Sequence, residues 1–285
     1  MIFITGASGQ LGRSVAAELA RRVKPSQVTL GTRHPEKIAD LVAQGFQTAA
    51  ADFRDPAGLE DAFRHATTVF MIPGTDPVEE VVVQHSAVID AAVRAGIGRL
   101  VCLVGLEAGD QSLCTFAPIG VAVEEHLHRS GLNYTLLREN QRMENLDGPL
   151  MQARHTGVFA LPGAKGKVAY VARGDVAAAA AGALTQHGHD HKTYDLTGPE
   201  SLDAAQIAEL VSKLWNRTVP AAEGDPEKVR EILLTRVKLP PHAVEGVLSG
   251  YRAAEVGEYD VVTNHVATLA GRPATPLRDY LRKFA

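Results

Sequence analysis

Cysteine is nearly absent from this chain. Cys102 and Cys114 are the only two in 285 residues, too few for a disulfide framework. Cys102 lies inside an apolar run and is expected as a buried thiol. No apolar stretch reaches the roughly 18 residues that a membrane span requires; the alanine-rich run Val176–Leu184 is short and follows charged residues. There is no basic excess either. Lys and Arg total 29 against 33 Asp and Glu, a net charge of −4. Nucleic-acid binders usually show the opposite balance, so neither a nucleic-acid nor a membrane partner is expected. No internal repeat or low-complexity tract stands out. Met1-Ile2-Phe3-Ile4 already reads as structure, so no targeting leader is expected before it. The expected compartment is a reducing cytoplasm.

What is present describes a folded globular chain: 45% hydrophobic and 22% charged residues, enough apolar side chain to offset chain entropy. At about 150 residues per domain the length accommodates two units, or one with an appendage. Short apolar runs recur at Ile2–Thr5, Gln27–Leu30, Gln47–Ala50, Thr68–Ile72, Arg99–Val104 and Asn133–Leu137. Helix-like segments separate them at Leu11–Arg22, Pro35–Ala43, Pro56–Arg64, Val78–Ala95 and Gly120–Ser130. This alternation predicts a parallel sheet with helices on both faces. The runs lack strict apolar–polar alternation, as strands buried on both faces do. The expected fold is α/β, a Rossmann-type doubly wound parallel sheet over residues 1–138, followed by a smaller α/β C-terminal lobe over 139–285. The two are partly interleaved, with later strands returning to the sheet.

After Arg138 the rhythm changes. Lys167–Ala172 and Lys192–Leu196 read as strands, and Asp175–Leu184 as a helix. Ser201–Trp215 is the best amphipathic helix, with Asp203 and Gln206 spaced as a capping box. Pro226–Val237 is helical until Pro240-Pro241 breaks it. The tail reads as two short helices around Gly271-Arg272-Pro273.

The first strand runs directly into Gly6-Ala7-Ser8-Gly9-Gln10-Leu11-Gly12 and then a helix. Glycine triplets are weak signals alone; strand before and helix after is the context that gives this one meaning. Glycines admit a pyrophosphate close to the backbone, and the helix N-terminus offers it unpaired N–H groups. The alternative is a tight strand–helix turn without a ligand. Gly6, Ser8, Gly9, Gln10 and Leu11 are the candidate contacts. The second strand ends in Gly31-Thr32-Arg33, with no acid to bind ribose hydroxyls. Arg33, with Lys37 nearby, suits a 2′-phosphate, so NADP(H) is favoured and NAD(H) stays open. Arg33 could equally be a solvated surface residue or stack on adenine. Asp52-Phe53 follows the third strand, where Asp52 would meet the adenine amine or cap the helix ahead of Pro56. Ile72-Pro73-Gly74 and Val104-Gly105 end the fourth and fifth strands, at the edge where ligands collect.

His187-Gly188-His189-Asp190-His191 lies on a surface turn without carboxylate or cysteine ligands at fixed spacing, so no metal is expected. No flavin is expected either.

The glycine loop, Gly31-Thr32-Arg33, Ala95-Gly96-Ile97, Ser130–Arg138 followed by Glu144-Asn145, Asp175-Val176-Ala177-Ala178, Tyr194–Pro199 and Gly271-Arg272-Pro273 together resemble the NmrA-like group of atypical short-chain dehydrogenase/reductases. The likeness covers nearly the whole chain and is strongest to bacterial NAD(P)H:quinone oxidoreductases. The family also contains triphenylmethane-dye reductases and co-regulators that only sense the dinucleotide. It implies an extended Rossmann domain, a small C-terminal lobe and a cleft between them. Where relatives with a Ser-Tyr-Lys set place those residues, this chain has Val104-Gly105, Val121 and Glu125. A tyrosine-based mechanism is therefore not expected, and no catalytic residue is assigned.

Hydride transfer to a quinone or polycyclic aromatic needs orientation more than a protein acid. Such a small-molecule substrate is the expected partner, for a monomer or homodimer. If it were an anthraquinone-like natural product, its reduced form could react with oxygen and the net outcome would be hydroxylation. Asn140, Gln141 and Arg142 would face the cleft, and their polarity points to a hydroxylated substrate; a solvated connecting loop is the alternative. The loop Leu106–Pro118, bearing Glu107, Cys114 and Phe116 between Gly105, Gly109 and Gly120, would form a second and movable wall. Glu107, Phe116, Asn140 and Gln141 are the candidate substrate contacts. The competing function is a non-catalytic NAD(P) sensor.

Overall fold

A computed structural model of the chain describes residues 1–106 and 109–285; Glu107 lies outside the described residues. The first half alternates as β1 (Ile2–Ile4), α1 (Gln10–Ala20), β2 (Val28–Thr32), α2 (Ala39–Val42), β3 (Gln47–Ala50), α3 (Pro56–Phe63), β4 (Thr68–Met71), α4 (Val78–Arg94), β5 (Arg99–Gly105), α5 (Ala117–Ser130) and β6 (Tyr134–Glu139). The second half carries α6 (Asp147–Thr156), β7 (Phe159–Leu161), α7 (Arg173–Thr185), β8 (Lys192–Leu196), α8 (Ala204–Trp215), β9 (Ala221–Glu223), α9 (Pro226–Thr235), α10 (Pro241–Glu255), α11 (His265–Ala270) and α12 (Leu277–Leu281).

Seven strands form one sheet in the order β3-β2-β1-β4-β5-β6-β8, every neighbouring pair parallel. Ile4 sits between Leu30 and Phe70 in register. The central strands are buried on both faces; Val69, Phe70 and Met71 are all 0% exposed. Their unbroken apolar character follows from helices covering both sides. Helices α1, α7 and α11 share one core with Ile4, Leu30 and Phe70; α3, α4 and α5 enclose Phe3, Phe63 and Val69 on the other face. The alanine run of α7 is buried from Asp175 to Leu184. Small side chains let this helix lie close to α1 and α11 at once.

The second half does not stand apart from the first. β8 closes the sheet beside β6. Apart from β8 and the sheet-packed α7 and α11, the second half forms a lobe with its own core around Phe159, Val211 and Tyr259. Lys167–Ala172, expected as a strand, makes only single bridges, from Val168 to Leu202 and, through Val171, to Arg142. The lobe's small sheet is instead β7 against β9. The capping box at α8 is present, with Asp203 accepting from Gln206 N and Gln206 Oε1 from Asp203 N.

Candidate functional site

Strand order reverses between β1 and β4. Their carboxyl ends therefore send chain in opposite directions and open a crevice. Gly6 leaves β1 at φ +61°, a conformation that disfavours any side chain. Ala7 N then bonds Gly31 O (3.1 Å) and Gly9 N bonds Gly6 O (3.0 Å). Thr32 Oγ1 donates to Ser8 Oγ (3.0 Å), tying the loop to the end of β2. Gly9 caps α1 without a side-chain hydrogen bond, and the first turn carries no acid. The N–H groups there stay available, at the positive end of the helix dipole. Gly12 allows this closeness: a Cβ on it would lie 2.5 Å from Gly6 O.

A cleft of about 470 Å³ lies over this loop. Its lining includes the expected Gly6, Ser8, Gly9, Gln10, Leu11, Arg33, Asp52, Phe53, Ile72, Pro73 and Gly74. Arg33 is exposed at the rim. Asp52 does not cap the helix at Pro56; Asp55 does, accepting from Gly58 N. Asp52 instead accepts from Arg54 N (3.0 Å) and faces the cleft. Sequence reasoning missed Thr75, Asp76 and Gln84, which also line it. Gln84 Nε2 donates to Asp76 Oδ2 (2.9 Å), and Arg54 pairs with the same oxygen at 3.2 Å. That hydrogen bond from Gln84, followed by the charges of Arg54, Arg33 and His242, holds Asp76 below the usual carboxylate range. Beneath them His85 is 1% exposed and accepts from Gly74 N at 3.4 Å. Burial lowers its pKa to about 4, so the ring is neutral and its Nδ1 has no hydrogen-bond partner among the described residues.

The far end of the cleft departs from expectation. Val104 is turned into the sheet core, and Gly105 ends β5 beside Glu139; neither lines the cleft. Asn140 does not face it. The residue is 1% exposed, its Nδ2 donates to Tyr259 O (3.1 Å) and its Oδ1 accepts from Gln141 N (2.7 Å). Buried amides need partners, and this one finds them inside the lobe. Gln141 is half-buried, its Oε1 taken by Asn145 Nδ2 (2.9 Å). Phe116 wedges its ring into α10, where a Cβ on Gly246 would lie 1.9 Å from Cζ. The loop segment before it is strapped down as well. Glu258 accepts from Ser112 Oγ (2.5 Å) and Leu113 N (2.7 Å), and Thr115 N donates to Ser249 Oγ (3.0 Å). Arg142 is the neighbour that does reach the cleft. Val121 is half-buried, and Glu125 is exposed with Arg129 at 3.8 Å. The histidine turn is tied to the strands beside it: His189 Nδ1 to Tyr194 Oη at 2.8 Å and His191 Nε2 to Asn133 Oδ1 at 3.1 Å.

These residues suit a dinucleotide. The uncapped α1 N-terminus offers donors to a diphosphate, the glycines leave room for its approach, and Arg33 stands where an adenosine ribose would end. Fold and cleft thus define a Rossmann-type dinucleotide-binding protein. A model of NAD(P)H-binding proteins matches residues 6–187. The chain belongs to this NAD(P)H-binding family.

Several of the proteins it resembles over nearly their whole length are oxidoreductases. It is 32% identical to Quinone oxidoreductase 2 of Escherichia coli (strain K12) over 279 residues, 98% of this chain and 96% of that protein. The crystal structure of that NADPH-dependent enzyme complexed with NADPH matches with a TM-score of 0.91 at 31% identity, covering 100% of this chain and 99% of the other. The NAD(P)H azoreductase of Xenophilus azovorans is 28% identical over 285 residues, 100% and 98% of the two chains. Triphenylmethane reductase of Citrobacter sp., complexed with NADP(H), gives a TM-score of 0.91 at 26% identity, over 100% and 99%. Among the described residues, no helix is long and apolar enough to cross a membrane.

Proposed function

We propose that this protein is an NADPH-dependent oxidoreductase of the atypical short-chain type that reduces quinones and related conjugated aromatics. The observation that carries the reading is the cleft itself: an uncapped helix N-terminus under a glycine loop, with Arg33 and no acid at the end of β2. Likeness to a quinone oxidoreductase over 98% of the chain supports the reaction class. The Gly6–Gly12 loop would hold the diphosphate, Arg33 the 2′-phosphate and Asp52 the adenine amine. When bound, the cofactor supplies hydride transfer from its reduced nicotinamide.

The chain's own task is to orient and to exclude water. Val121 has no acidic proton to donate, and Glu125 pairs with Arg129 at the surface. With the Ser-Tyr-Lys set missing, an acceptor whose developing charge spreads over a ring fits best, because solvent can protonate the product. The same substitutions favour a second reading, a dinucleotide sensor without turnover. Mixing purified protein with NADPH or NADH and a panel of neutral quinones, and following loss of the reduced nicotinamide, separates the two. Turnover with NADPH preferred is expected; tight, selective binding without turnover would establish the sensor.

A further inference from the structure

Among the described residues, every one that lines the cleft lies between Gly6 and Gln84, with one exception. Arg142 comes from the start of the lobe, three residues beyond β6. Its Nε donates to Glu139 Oε2 (2.9 Å), and its Nη2 bonds the other oxygen of the same carboxylate. The pair is sheltered, with side chains 30% and 13% exposed. Burial works against the guanidinium charge, but the attraction and hydrogen bond of Glu139, joined by Glu144, outweigh it and keep Arg142 cationic. The fork engages one edge of a rigid, planar group. Nη1, on the other edge, has no hydrogen-bond partner among the described residues and is not a buried orphan. A cation on the cleft wall is thus locked in orientation with donors to spare. On the proposed reading the dinucleotide's own charges would be met elsewhere, by the α1 N-terminus and Arg33.

We infer that Arg142 sets substrate specificity: it binds an ionised oxygen substituent on the aromatic acceptor, such as a carboxylate or an acidic ring hydroxyl. This rests on the reductase reading, and it narrows the substrate class from quinones in general to anionic ones. Glu139 is the positioning residue. It fixes the guanidinium plane and, by its charge, moderates the pull on the anion.

The test compares a sulfonated naphthoquinone with its unsulfonated parent, reading the ratio of their kcat/KM values. Calorimetry of naphthalene sulfonate binding to NADP⁺-loaded protein supplies a readout that needs no turnover. Arg142→Gln should lower both the ratio and the sulfonate affinity by about tenfold or more, the effect of losing a charge-assisted hydrogen bond. Arg142→Lys should keep part of each. Glu139→Gln should move both upward, because the Gln amide oxygen still accepts from the guanidinium while the nearer of its two counter-charges is gone. A merely structural ion pair would shift the two glutamine variants in the same direction. That result, or an unchanged ratio in Arg142→Gln, overturns the proposal. Weaker NADPH binding in Arg142→Gln with the ratio preserved overturns it too, assigning the residue to the cofactor. Wild-type protein that turns over no quinone refutes the reductase reading, and the sulfonate calorimetry then decides the role of Arg142 alone.

Discussion

Replacing Gly12 by Ala adds one carbon at the tightest point of the site. That carbon would lie 2.5 Å from Gly6 O and 2.7 Å from Ala7 Cα. Both are backbone atoms of the loop, so no side chain can swing aside. Ordinary contact needs about 3.5 Å, so the start of α1 must retreat by roughly 1 Å. Overpacking of this kind costs about 1–3 kcal/mol, and the better helix propensity of Ala returns about 1 kcal/mol. Global stability should therefore fall by no more than about 2 kcal/mol. Cofactor binding should suffer more, because the retreating turn carries the free N–H groups. Losing one hydrogen bond to a phosphate costs about 1.5–3 kcal/mol, a roughly ten- to hundredfold loss of NADPH affinity. Gly148→Ala is the control; its Cβ meets nothing within 4 Å near the start of α6, so affinity should hold. Calorimetric titration with NADPH and a parallel denaturation curve read both quantities. A Gly12→Ala protein that binds NADPH as tightly as wild type would refute the claim that this helix–loop contact builds the phosphate site.

Three further outcomes are expected. Arg33→Ala should shrink the preference for NADPH over NADH by about tenfold, less at high salt because the residue is exposed; equal weakening of both cofactors would refute the 2′-phosphate assignment. The His85 pKa of about 4 lies below its ordinary 6.5, so the unfolded chain takes up that proton first as pH falls. Its contribution is present above pH 6.5 and lost towards pH 4, about 3 kcal/mol in total; urea denaturation across that window should show a smaller fall for His85→Gln than for wild type. Asp175 is 1% exposed and accepts from Arg272 Nη1 (2.6 Å), Thr275 N (2.6 Å) and Thr275 Oγ1 (3.1 Å). Asp175→Ala should cost about 2–4 kcal/mol by unclamping the tail from α7, and an unchanged denaturation midpoint would contradict that.

The sheet was legible because its signals are local. Ile2–Ile4 followed by the Gly6–Gly12 loop and an amphipathic helix states the βα unit within some twenty residues, and Thr68–Met71 is apolar on both faces. The lobe was harder. β7 and β9 are three residues each and pair across about sixty residues of chain, so neither carries a periodicity of its own. Lys167–Ala172 has strand-like residues but finds only single bridges. Asn140 was misplaced for a similar reason: the carbonyl that turns it inward belongs to Tyr259, far along the sequence. Asp76 and Gln84 gave no motif, because they meet only once α4 packs under the loop after β4. The places of Arg33 and Asp52 on the cleft were legible, since strand ends in this topology open onto the crevice.

The most direct measurement is a calorimetric titration of the purified, folded protein with NADPH and with NADH. Saturable one-to-one uptake, tighter for NADPH by about tenfold or more, is the predicted result. Folded protein that takes up neither would contradict the account at its root.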